Sequence, residues 1–196
     1  MFIQEIVQFI IPVGGLYLVL RGLWNRRNGK LCSLEREFAL FAFVIYVAAV
    51  LKITIVPDIT FLWLPDEDRF LFQIGVGGFR TPNLIPFRTV IGLIRGQTFV
   101  NENESVSVIL KNLLGNLILL MPLGTLLPGL FGRFKEPSSV VACGTAVATG
   151  IEVIQFFIGR VADIDDVILN SVGVLIGYIG YQIYERKSRI TTKKIN

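Results

Sequence analysis

Between Thr145 and Gly177 the chain sets carboxyl, amide and guanidinium side chains inside two long apolar runs. The first run closes on Glu152 and Gln155. A short connection then reads Gly159-Arg160-Val161-Ala162-Asp163-Ile164-Asp165-Asp166, and the second run opens with Asn170 and Gly173. Ionisable groups are expensive beside a bilayer, so their presence there points to a function and to a partner for each. On a helix Glu152 and Gln155 are i, i+3 neighbours on one face, and Thr145 and Thr149 extend that face inward. If the next helix starts early, Asp163, Asp166, Asn170, Gly173 and Gly177 form a second stripe, with Asp165 on a different face. Two facing polar stripes and Arg160 predict a wet pocket opening to the outer surface, with Asn83, Arg88 and Asn116 completing its rim.

Three kinds of chemistry fit such a pocket. A buried Glu152, paired with Asp166, suits a general acid or base. The aspartates Asp163, Asp165 and Asp166 are hard oxygen ligands that could hold Mg²⁺ or Ca²⁺. Arg160 and Arg88 could clamp a phosphate with paired donors. The plain structural alternative has Arg160 bonded to Glu152 or to an aspartate, fixing the connection, with Asn170 capping backbone groups. The chain has no histidine, which excludes histidine-dependent lipid phosphatases, zinc–histidine sites and Ser-His triads. Its two cysteines, Cys32 and Cys143, are spaced like neither a metal site nor a disulfide framework.

The elements that must position these groups follow from composition. With 53% hydrophobic and 17% charged residues in long blocks, the 196-residue chain reads as an integral membrane protein of one domain. A membrane-crossing helix needs about 20 mainly apolar residues. Five candidates meet that rule: Phe2–Leu20, Phe38–Val56, Leu113–Leu130, Val140–Phe157 and Val167–Tyr184. The first lacks a basic leader and a small-x-small cleavage site, so it is expected to remain as a span. The segments holding Arg21 to Arg36, Arg133 with Lys135, and Arg186 to Lys194 carry 12 of the 19 basic residues. By the positive-inside rule those segments are cytoplasmic, the N-terminus is outside and the C-terminus inside. That topology accounts for the net charge of +4 better than nucleic-acid binding does.

Local signals refine this picture. Gln4, Glu5 and Gln8 suit an interfacial helix start, and Pro12 with Gly14-Gly15 predicts a kink. Lys52 is expected to snorkel to the outer headgroups. The outer segment 57–112 contains Phe61-Leu62-Trp63-Leu64 and Phe70-Leu71-Phe72, aromatic groups that favour the interface. Within it, Phe87, Val90, Ile91 and Ile94 share a helical face and predict a short interfacial helix. Asn103-Glu104-Ser105 matches a glycosylation sequon. Ala142, Ala146 and Gly150 on the fourth span, and Gly173 and Gly177 on the fifth, have the spacing of close helix packing. The tail 185–196 is basic and suits anionic headgroups.

The ordered set Asn83-x-x-Pro86-Phe87, Gly115-Asn116 with Pro122-x-Gly124, Glu152-x-x-Gln155 and Arg160-x-x-Asp163-x-Asp165-Asp166-x-x-x-Asn170-x-x-Gly173 resembles the VanZ-like family. The motif-bearing core runs from 83 to 177. The family consists of small bacterial membrane proteins, and its named member confers resistance to teicoplanin, a lipid-bearing glycopeptide. The resemblance implies a multi-pass protein of the bacterial plasma membrane that lowers susceptibility to lipoglycopeptides. Its expected partners are membrane lipids and either the antibiotic or a lipid-linked cell-wall precursor, not nucleic acid. Two functions compete: a binding or shielding protein with an outward-facing pocket, and an intramembrane enzyme using Glu152 and the aspartates on a lipid-linked phosphate or sugar. A transporter fits less well, since polar groups gather toward one face and no internal repeat is visible.

Overall fold

The computed structural model describes residues 2–29, 33–57, 59–64, 69–75, 77–78, 80–95 and 106–195. The Asn103 sequon and Cys32 lie outside them. Five helical segments among these residues are long and apolar enough to cross a membrane. The protein is a multi-pass membrane bundle whose spans are all α-helical, with a two-stranded ribbon outside them.

Helices α1 (Phe2–Asn28) and α2 (Leu34–Thr54) form an antiparallel pair. Ser33 caps α2 by accepting from the Arg36 amide, which satisfies one of the free donors of its first turn. Near the turn of the pair, Arg21 grips Glu37 through two hydrogen bonds of 2.9 and 2.7 Å. At the far end the Lys52 ammonium reaches the Glu5 carboxylate at 3.9 Å, so Lys52 turns toward a partner on α1. The outward side chains of α1, among them Ile11, Leu16, Val19 and Leu23, are exposed. An apolar helix in that situation has lipid for its solvent.

The other helices make the core. The third predicted span is two helices, α4 (Val106–Leu119) and α5 (Met121–Leu130), once the short α3 (Arg88–Ile94) of the preceding segment is counted. The interruption sits at Leu120, two residues before Pro122. Pro122 has no N–H to continue the helical ladder but suits the first turn of a new helix. A short 3₁₀ turn at Gly132–Phe134 leads to α6 (Pro137–Phe157), and Gly159, at φ 81°, helps turn the chain toward α7 (Ile164–Ile195).

Helix α7 is the central post, packed along α4, α5 and α6. Its approach to α4 and α5 depends on the absence of side chains. A Cβ on Gly173 would collide with the Leu117 carbonyl, one on Gly177 with the Met121 carbonyl, and one on Gly124 with the Val174 carbonyl. The predicted Gly173/Gly177 seam is therefore real. The predicted row on α6 is displaced by one face: Ala142 and Ala146 are exposed and nothing approaches Gly150. The close contact belongs to Gly144, whose missing side chain leaves room for Val174, and to buried Ala148. Leu120, Leu123, Leu127, Val140, Ile151 and Val174 fill the core around this seam.

Between α2 and α3 the chain folds into an antiparallel ribbon, β1 (Ile59–Leu64) and β2 (Arg69–Ile74), with Phe61 opposite Phe72. The aromatic runs expected at the interface are thus two paired strands. Two six-residue β-prone runs flanking Pro65-Asp66-Glu67-Asp68 were the available signal.

Candidate functional site

The polar residues of the motif-bearing core divide into three groups that do different things. The first ties the segment before α3 to the start of α7. The backbone of Asn83 pairs with the 162–164 strand-like stretch, donating to the Ala162 carbonyl at 2.8 Å and accepting from the Ile164 amide at 2.9 Å. The Asn83 side chain donates to the Asp163 carboxylate at 2.9 Å, and the Thr89 hydroxyl donates to the same carboxylate at 2.8 Å. Asp163 in turn accepts from the Asp165 amide at 2.9 Å, which caps the first turn of α7.

Asp165 completes this clamp. It is 1% exposed, and its carboxylate accepts the amides of Phe87 and Thr89, free donors at the N-terminus of α3. Helix α3 thus has its start capped from α7, seventy-odd residues later in the chain. The clamp also holds Phe87 at φ 61°, a conformation that bulky residues rarely adopt and that survives only where surroundings enforce it. Phe87 therefore precedes the helix whose face it was expected to share.

The second group ties α2 to the end of α6. Gln155 Nε2 and an Arg160 guanidinium nitrogen both donate to the Thr54 carbonyl, at 3.1 and 3.0 Å. That carbonyl lies at the C-terminal end of α2, where helical acceptors lack intrahelical donors and a cation is favourable. Arg160 is exposed and, among the described residues, hydrogen-bonded to neither Glu152 nor an aspartate, in contrast to the structural expectation for it, although its charge bears on Glu152. Arg88 is exposed on the first turn of α3.

The third group lies where α4, α6 and α7 meet. Glu152, 7% exposed on α6, accepts the Asp163 amide at 2.9 Å. Asp166 on the first turn of α7 has the Asn116 side chain of α4 as its hydrogen-bond partner, and the charged groups bearing on it are Glu152, Asp163 and Asp165, all carboxyls. One turn along, Asn170 is 3% exposed and donates to the Asp166 carbonyl at 2.9 Å. Its Oδ1 is buried and has no hydrogen-bond partner among the described residues. Farther along the α6–α7 contact, Thr145 and Ser171 share a 2.8 Å hydrogen bond, while Thr149 is exposed and bonds its own helix.

Of the predicted site residues, Asp166 is the hub of the third group: Asn116 bonds it, the Glu152 charge bears on it, and Asn170 bonds its carbonyl one turn along α7. Asn83, Asp163 and Asp165 form the clamp, and Gln155 and Arg160 the α2 tie. The aspartates Asp163, Asp165 and Asp166 do not converge as a metal-ligand set: among the described residues no three His, Cys, Asp or Glu are grouped to hold an ion. The reason is local. The carboxylate oxygens of Asp165 are aimed at α3, those of Asp163 at Asn83 and Thr89, and Asp166 lies on the face toward α4. Thr89 and Thr54 were missed by sequence reading. A Thr six residues beyond Asn83 carries no signal alone, and the role of Thr54 is played by its carbonyl.

No curated protein and no solved structure matches the chain. The family model VanZ/LLP1 matches residues 43–185, which take in most of the chain, from the middle of α2 through the core helices. That span covers the clamp, the α2 tie and the carboxyl centre together. The chain belongs to the VanZ/LLP1 family, membrane proteins associated at family level with teicoplanin resistance.

Proposed function

We propose that this protein resides in the bacterial plasma membrane, N-terminus outside and C-terminus cytoplasmic, and lowers susceptibility to teicoplanin and related lipoglycopeptides. It does so by binding, at the outer polar end of the α4–α6–α7 bundle, the antibiotic's lipid-bearing part or a lipid-linked cell-wall precursor. The observation carrying this reading is the carboxyl centre of Glu152 and Asp166, lined by Asn116 and Asn170 and seated where membrane-spanning helices meet. Polar groups in such a place are costly, and a bound partner offsets the cost.

A second reading, an intramembrane enzyme acting on a lipid-linked phosphate or sugar, is favoured by the juxtaposition of two carboxyls from different helices. Glu152 and Asp166 would then divide the roles of acid and base.

The test is growth of a sensitive Gram-positive host expressing the protein, scored against teicoplanin and against vancomycin, which has no acyl tail. Selective protection against teicoplanin is expected. Equal protection against both drugs, or none, overturns the proposal. Glu152→Gln at matched membrane levels separates the two readings, because the amide keeps the shape and the acceptor for the Asp163 amide. Turnover is abolished in that variant, whereas binding is weakened but remains measurable.

A further inference from the structure

We propose that the carboxyl centre recognises a primary ammonium group carried by a membrane amphiphile, with Glu152, Asp166 and the Oδ1 of Asn170 as its acceptors. This rests on the site assigned above and names the chemistry of its ligand. Three observations lead to it.

The first is the composition of the wall. The charges bearing on Asp166 are those of Glu152 on α6 and of Asp163 and Asp165, whose oxygens are turned to Asn83, Thr89 and α3; its hydrogen-bond partner from α4, Asn116, is neutral. Arg160, the cation nearest in sequence, donates to the Thr54 carbonyl, and its charge bears on Glu152 but is not among those bearing on Asp166. A phosphate brought here would meet carboxyls, and a cation would be attracted.

The second is Asn170. Its amide nitrogen is committed to the Asp166 carbonyl, which fixes the oxygen as the other end of the group. That oxygen is buried and lacks a donor among the described residues. A buried acceptor without a donor costs about 1–3 kcal/mol. The stripe on α7 shows where Asn170 faces: Asp166 before it meets Asn116, and Gly173 after it meets Leu117, consecutive positions on α4. The Oδ1 therefore lies within the α4–α7 seam, bracketed by these contacts, and what it lacks is a hydrogen-bond donor.

The third is valence. A primary ammonium has three N–H donors, and two carboxyls and one amide oxygen supply three acceptors. Among the described residues no three His, Cys, Asp or Glu are grouped to hold a metal ion. The helices bearing the centre expose Val153, Ile154 and Leu114 outward, apolar surface suited to the tail of an amphiphile entering from the bilayer.

The experiment is calorimetric titration of the full-length protein in phosphatidylcholine nanodiscs, with empty nanodiscs as blank. The probes are n-dodecylammonium, n-dodecyltrimethylammonium, n-dodecyl phosphate and n-butylammonium. Saturable binding of dodecylammonium is expected, at least about tenfold tighter than the trimethyl analogue, which keeps the charge and lacks N–H donors. Butylammonium, with the same head and little tail, is expected to bind far more weakly. In Asn170→Leu and Asp166→Asn the preference for primary over trimethyl ammonium should collapse.

Equal affinity for the two ammonium probes, tighter binding of the phosphate, or a preference untouched by both substitutions overturns the proposal. Equal binding of butylammonium overturns its amphiphile half. The selectivity of the wild type is readable even if a variant fails to assemble. Loss of teicoplanin protection with ammonium selectivity intact would instead strike the resistance reading and leave this one standing.

Discussion

Asp165 and Asn170 are both polar, both more than nine-tenths buried and barely more than a turn apart on α7, yet they are opposite cases. The carboxylate of Asp165 is directed at two backbone amides on another element, and removing it would undo the entry to α3. The amide oxygen of Asn170 is directed at nothing among the described residues. Buried polar groups that only hold a fold together are expected to be satisfied, because an unmet one is destabilising. The contrast separates side chains that build the site from those left available to a ligand.

Removing the two groups in turn should change stability with opposite signs. Asp165→Ala leaves the Phe87 and Thr89 amides without their acceptor. It should lower stability by about 3 kcal/mol or more, since each hydrogen bond to a charged group is worth roughly 1.5–3 kcal/mol. Denaturant unfolding in mixed micelles would measure this, together with faster protease cleavage after Arg88 and Arg95. An unchanged midpoint would mean that α3 is held by something other than the clamp.

Asn170→Leu should act the other way. It replaces an unmet buried acceptor by an apolar group of similar size and gives up only a bond to a carbonyl already in the helix. A gain of about 1 kcal/mol is expected. Protection against teicoplanin should fall at the same time, a trade of function for stability that a purely structural asparagine would not show. Loss of both stability and protection would place Asn170 with Asp165, and the distinction between the two would disappear.

That distinction marks how far the sequence could be read. Spans were legible because bilayer thickness demands long apolar blocks, and the chain has five. The seam at Gly173 and Gly177 was legible because small residues recur every four positions on a helix with few other candidates. On α6 the same rule pointed to the wrong row, since Ala142-Ala146-Gly150 and Gly144-Ala148 both satisfy it and only packing against Val174 selects between them. The break at Leu120 had its signal in Pro122. Within the site, spacing set Asp165 apart from the Asp166–Asn170 stripe, but it also put Asp163 on that stripe, and Asp163 precedes α7 and joins the clamp with Asp165. What spacing could not show was the destination of each polar group, because the partners are backbone atoms: the amides of Phe87, Thr89 and Asp163 and the carbonyl of Thr54. Such partners leave no trace in residue identity, and so nothing in the spacing announced that Arg160 donates to a carbonyl at a helix end.

A smaller effect sharpens the clamp itself. Thr89→Val keeps the branched shape and removes one donor to Asp163, which retains Asn83 and the Asp165 amide as partners. The cost should be about 1 kcal/mol, the net worth of a typical single hydrogen bond, with drug protection largely kept. A loss of protection far beyond what that stability change explains would make Thr89 part of the binding site.

Phe87 gives the smallest change in stability and the most direct reading of α3. Its backbone lies in the left-handed region while its ring is about half exposed, 52%. Glycine adopts that conformation without strain, but it also makes the unfolded chain freer, a cost of roughly 0.5–1 kcal/mol. The two effects nearly cancel, so Phe87→Gly should leave the unfolding midpoint close to that of the wild type. Function need not follow. Residues 84, 85 and 87 present exposed apolar side chains beside the point where Asp165 anchors α3. If that surface meets the lipid part of the ligand, Phe87→Gly lowers teicoplanin protection and the binding of dodecylammonium with no matching loss of stability. Wild-type protection and binding in that variant would confine recognition to the α4–α6–α7 centre and leave α3 as a buttress alone.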